Sequence, residues 1–86
     1  MPYSNPLSLQ IKSHCTVNTK EIGEIIKKRR LNLRINQLEV SELAGIGINT
    51  LVAIERGSGN PKLETLLSVL DVLGLQLNIN LKDLTV

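Results

Sequence analysis

Phenylalanine and tryptophan are absent from the 86 residues, and tyrosine occurs once, as Tyr3. Leucine, isoleucine and valine must therefore fill the core, and there are no aromatic platforms on which a single-stranded nucleic acid could stack its bases. Cysteine and histidine also occur once each, as the neighbours His14 and Cys15. A lone thiol excludes an internal disulfide and suits a reducing compartment. No further ligands stand at a spacing that would complete a metal site with this pair. Neighbours in sequence seldom aim at each other, so the pair is a poor nucleophile and base. With no carboxylate pair, triad or phosphate-cradling loop, the chain is not expected to be an enzyme or to carry a cofactor or metal. Apolar runs fall short of the roughly 18 to 20 residues that span a bilayer, and the first residues lack a charged-then-apolar signal pattern. A cytosolic protein with no membrane partner is expected.

A chain this short forms one domain and buries only about 60 to 65% of its extended surface, so help from a second copy is expected. The net charge is only +2, but its distribution is uneven. Between Thr19 and Arg34 six basic residues stand against two acidic ones, whereas Ile35 to Val86 carries three against six. The positive charge gathers at the end of the first helical segment, where it can serve an anionic partner or a solvated face.

The stretch from Asn36 to Gly57, NQLEVSELAGIGINTLVAIERG, reads as two short helices, Gln37 to Ala44 and Ile48 to Arg56, hinged on Gly45, Ile46 and Gly47. Val40, Ala44, Ile46, Leu51 and Ile54 supply inward side chains, and Ser41 is small where the second helix must pass closely. Gly45 stands where the first helix needs a left-handed residue to end, and Asn36 is a good N-cap. With Leu51 and Ile54 inside, Ile48, Asn49, Thr50, Val52 and Ala53 are left for the outside. Arg56, Ser58, Gly59, Asn60 and Lys62 follow as a polar loop suited to phosphate.

On either side the periods change. Asn18 or Thr19 can cap a helix with Glu21 and Glu24 early and Lys27, Lys28, Arg29 and Arg30 late, matching the macrodipole in sign. Ile22, Ile25, Ile26 and Leu33 give its inward stripe. After Pro61, Leu63, Leu66, Leu67, Leu70 and Leu73 fall at core spacing. Val69 and Val72 widen that face beyond what one core needs, and Gly74 stops the helix. Leu75, Leu77, Ile79 and Leu81 then alternate with polar residues as a strand with one apolar side. A lone strand must find an edge. The same strand of a second copy, antiparallel about a two-fold axis, would supply it, and so would Leu7 to Ile11 of the same chain.

IGEIIKKRR, the INQLEVSELAGIGINTL run, IERG, NP and LETLLSVLDVLGL together resemble the lambda-repressor-like, or Xre-type, DNA-binding domain over about Thr19 to Leu75. With the LQLNINL tail the chain is most similar to HipB-type antitoxins, small repressors that pair with a HipA-type kinase toxin. The resemblance implies a mainly all-α fold of four helices with a C-terminal strand pairing across a homodimer. Its parts are an N-terminal extension 1–18, strand-like or disordered, a helix-turn-helix domain 19–74, a dimerisation strand 75–81 and a tail 82–86. It also implies an ion pair between Arg30 and Glu55, and phosphate contacts from Asn36 and Gln37. Family base readers map onto Ile48, Asn49 and Ala53, with Thr50 nearer the backbone. Asn49 can pair with adenine, while Ile48 and Ala53 can touch thymine methyls. The apolar pair Ile48 and Val52 fits a protein contact as well. Dimerisation is expected through Val69, Val72, Leu75, Leu77, Ile79 and Leu81. The implied partner is a double-stranded operator, with the protein on the nucleoid repressing its own operon alongside a HipA-like kinase. A stand-alone phage-like Xre regulator, or an interaction module that keeps the fold without reading DNA, would have the same residues. Arg34 stands where the family usually has glycine, so the first helix is expected to end differently or to carry mild strain there.

Overall fold

The structure is a computed structural model that describes residues 8–9 and 18–79. His14, Cys15, Leu81 and the tail 82–86 lie outside the described residues. The elements follow in the order β1 (Ser8–Leu9), α1 (Thr19–Asn32), α2 (Gln37–Ala44), α3 (Ile48–Arg56), α4 (Leu63–Val72) and β2 (Gln76–Leu77). Four helices thus account for most of the described chain, in a helix-turn-helix arrangement.

Each helix begins and ends where local chemistry dictates. Asn18, not Thr19, caps α1: its side chain accepts from the Glu21 amide at 2.8 Å. Thr19 turns its hydroxyl elsewhere, donating to the Gly57 carbonyl at 2.9 Å. At the start of α2, Asn36 and Glu39 form a capping box, each side chain accepting from the other's backbone amide, which satisfies two donors that a helix start leaves orphaned. Gly45 closes α2 in the left-handed conformation, φ 72°. An added Cβ would meet nothing within 4 Å there, so the turn needs glycine for its dihedral and not for space. Arg29 reaches across from α1 to donate to the Leu73 carbonyl at 2.8 Å, placing positive charge at the negative end of α4.

Eight aliphatic side chains make the core: Ile26, Val40, Leu51, Ile54, Val69, Leu70, Leu73 and Leu75. Three expectations about what faces inward are corrected. Leu33 is exposed because α1 has ended at Asn32 and Arg34 then turns the chain, so half-buried Ile35 packs on the core in its place. In α4 the inward face runs through Leu66, Val69, Leu70 and Leu73, which leaves Leu63 and Leu67 at 61% and 44% exposure. Val69 and Leu75, expected to serve a second copy, are 0% and 8% exposed within the single subunit and have no surface to offer.

The strand is shorter than the expected 75–81 and takes one of the two partners that the sequence leaves open. It is two residues long, and it pairs in parallel with the chain's own N-terminal segment, Ser8 opposite Gln76 and Leu9 opposite Leu77. A parallel pair needs a long crossover, and here the whole helical body supplies it. Val72 and Leu77 are half-buried against the core, while Ile79 is 77% exposed.

Arg34 does carry the strain. It is the sole non-glycine residue with positive φ among those described, at 60°, a conformation that costs an ordinary L-residue about 1 to 2 kcal/mol. Part of that cost is recovered in the unfolded state, where glycine loses more entropy on folding. Arg34→Gly is therefore expected to stabilise the fold by about 0.5 to 1 kcal/mol, seen in a thermal melt as a rise of roughly 2 to 6 °C. An unchanged or lower midpoint would show the turn to be unstrained.

Candidate nucleic-acid interface

The second helix of the motif, α3, is held by its inner face. Leu51 and Ile54 are buried in the core, and Glu55 is buried beside them at 7% exposure. Glu55 accepts from Arg30 Nε at 2.6 Å and Arg30 Nη2 at 3.0 Å, a bidentate ion pair closed off from solvent. Gln37 Nε2 donates to the same carboxylate at 3.0 Å, and Arg30 Nη1 donates to the Ile35 carbonyl at 3.0 Å. One carboxylate thus ties together the end of α1, the start of α2 and the end of α3. Charge-assisted bonds of this fork geometry fix orientation as well as distance.

Backbone contacts set the rest of the frame. Gly23 of α1 lies against the end of α3, where an added Cβ would fall 2.4 Å from the Ile54 carbonyl oxygen and 2.6 Å from that of Glu55. Gly57, left-handed at φ 74°, sits so close to the start of α1 that a Cβ would come within 2.5 Å of Lys20 Cα. Ser58 closes α3, its amide and hydroxyl donating to the Ala53 carbonyl at 2.9 and 3.3 Å.

What α3 shows to the outside falls into two groups. Asn49 and Thr50 are exposed and Ala53 is half-buried. With Ile54, Ser58, Gly59, Asn60 and Pro61 these three line an open cleft of about 340 Å³. Ala53 is 3.8 Å from where a Cβ on Gly59 would stand. Ile48, 39% exposed, and half-buried Val52 are not among the lining residues. Arg56 and Lys62, at either end of the loop, are exposed, as is Asn36. Asn36 spends its side chain on the capping box and Gln37 donates to Glu55, so both sit in the frame that carries α3.

The basic run at the end of α1 is less available than its charge suggests, because Arg29 and Arg30 are spent on α4 and on Glu55. Lys27, Lys28 and Arg34 remain exposed. Lys20 joins the loop after α3 only through the fold, by way of Gly57. Its distance in sequence gave no signal of that, and its place in the first turn of a helix, where positive charge is disfavoured, is the only local hint.

Comparison with known proteins agrees with this frame. The helix-turn-helix family model HTH_3 matches residues 26–80, from α1 to just beyond β2. A Haemophilus influenzae protein named as an uncharacterized HTH-type transcriptional regulator is 41% identical over 58 residues. The match covers 67% of this chain and 58% of that protein, so the chain spans less than two thirds of its relative's length. With the matched region containing all of the turn between α2 and α3 and the residues that brace it, the chain belongs to the helix-turn-helix family.

Proposed function

We propose that this protein is a sequence-specific, duplex-DNA-binding transcription regulator that acts as a repressor, with α3 as its recognition helix. The observation that carries the reading is the placement of Asn49 and Thr50 at an open cleft shared with Ser58 and Asn60, on a helix whose inner face is locked by Glu55. A polar ridge on a rigid helix can enter a major groove, with the loop following it against phosphate. Asn49 is the direct reader, pairing bidentately with adenine, and Ile48 and Ala53 add contact with thymine methyls. Arg56, Lys62 and Lys20 supply phosphate affinity, which makes log affinity fall linearly with log salt.

The active form in this reading is a homodimer on a near-palindromic site with half-sites one turn, about 34 Å, apart. Val72, Leu77 and Ile79, together with the second edge of β2, are the surfaces left for that contact. Leu81 lies outside the described residues. The resemblance to HipB-type antitoxins extends the proposal to autoregulation of an operon shared with a HipA-like kinase. Co-purification with the product of the neighbouring gene separates that role from a stand-alone Xre-type regulator.

Selection of bound sites from random duplexes, read together with the mass of the complex, tests the core of the proposal. Asn49→Ala is expected to relax preference at one position in each half-site, at about 1 to 3 kcal/mol per lost pair. Equal weakening on every sequence would remove Asn49 from the reader's role. Absence of salt-sensitive duplex binding would favour the interaction-module reading, in which exposed Ile48 meets a protein instead.

A further inference from the structure

Arg34 holds a conformation that glycine would hold more cheaply, and the folded subunit gains nothing visible from its side chain. Among the described residues that side chain is exposed and has neither a hydrogen bond nor an ion pair. The turn needs only its backbone, whose amide donates to the Leu31 carbonyl at 3.0 Å. A strained residue with no return inside the fold directs attention outward, since such outliers gather at binding and switch sites.

The turn that carries the cation is braced through its neighbours. The residue after it, Ile35, is tied by its carbonyl to Arg30, which grips Glu55 of α3, and Gln37 reaches the same carboxylate. The turn is therefore rigidly referenced to the proposed recognition helix from both sides. Of the acids near it in sequence, Glu39 accepts from the Asn36 amide at 3.0 Å, and Glu55 on α3 is taken by Arg30 and Gln37. An exposed guanidinium with no partner among the described residues, on a turn held in register with α3, suits an external oxyanion.

We infer that Arg34 binds a backbone phosphate of the duplex beside the groove that α3 enters, and that the left-handed turn is retained for this contact at the expense of stability. The inference rests on the DNA-binding reading above. It adds a residue that contributes affinity on every sequence and none of the sequence preference.

The test uses the full chain with Arg34→Ala, which keeps the strained turn and removes the charge, Arg34→Gly, which removes both, and Arg34→Lys, which keeps the charge. Affinity is measured by fluorescence anisotropy across a salt series, for a duplex recovered by the site selection and for a shuffled one, with a melt of each variant in parallel. The alanine and glycine variants are expected to bind both duplexes about three- to tenfold more weakly, with the slope of log affinity against log salt smaller by about 0.9. The lysine variant should keep most of the slope, and the glycine variant alone should melt higher than the parent. Wild-type affinity and slope in both the alanine and glycine variants would overturn the assignment while leaving DNA binding intact. A parent protein that binds neither duplex in a salt-dependent way would overturn the DNA-binding reading itself, and Arg34's part with it.

Discussion

Gly23→Ala is expected to destabilise the fold by about 3 kcal/mol or more, even though alanine is the better helix former by about 1 kcal/mol. The new methyl group would meet the Ile54 and Glu55 carbonyl oxygens at 2.4 and 2.6 Å. Those are backbone atoms in the last turn of α3 and cannot rotate aside as a side chain can. α1 would have to lift away, which would stretch the Arg30–Glu55 pair and open the core at Ile26 and Ile54. A fall of roughly 10 to 20 °C in the melting midpoint is the expected reading for a chain of this size. A variant that melts with the parent would mean that the two helices do not cross at Gly23. An exposed helical site predicts the opposite sign, a gain from alanine, so the experiment separates the two without ambiguity.

Glu55→Ala should cost about 3 to 5 kcal/mol, because it leaves the Arg30 guanidinium buried with no counter-charge and strips Gln37 of its acceptor. Against a total of about 5 to 15 kcal/mol for a typical domain, a chemical denaturation midpoint should fall by about a fifth or more. The companion is the double variant Arg30→Met with Glu55→Leu, which removes both charges and fills the space with apolar atoms. It should recover most of the loss, since replacing a buried pair with packed hydrophobic groups is often neutral or better. If the double variant is as unstable as the two single losses combined, the pair contributes through something other than mutual neutralisation. A stable double variant would also test whether Gln37 and Glu55 fix the orientation of α3: a loss of duplex affinity at full stability would locate their role in aiming the helix.

The helix-turn-helix was legible because its signals are local. Gly45, the Asn36 cap, and the spacing of Val40, Leu51 and Ile54 each constrain a few neighbouring residues, and the structure places all of them as their chemistry requires. Periodicity served less well at element ends. It counted Leu33 and Leu63 as inward, but a stripe drawn on an ideal helix does not know that the helix stops at Asn32 or begins at Leu63 itself. Glycine at position 23 carried no visible message in sequence, since the reason for it is the close passage of another backbone. Arg29 and Lys20 show the same limit in electrostatics. A run of positive charge can be counted, but which members face a carbonyl and which face solvent is decided by how the helices cross. Val69 reads as outward because the apolar face of α4 is wider than one core requires, and Leu75 because it opens the strand expected to pair with a second copy. With no phenylalanine or tryptophan to supply bulk, the core recruits more aliphatic positions than a mixed core would.

The parallel pairing of Ser8–Leu9 with Gln76–Leu77 bears on the order in which this molecule assembles. Its two strands can meet only after nearly the entire polypeptide between them has been arranged, so the entropy of closing that loop is offset only once the helices have condensed. The helical body, rich in short-range contacts, is therefore expected to form first, with the strand pair closing late as a clasp.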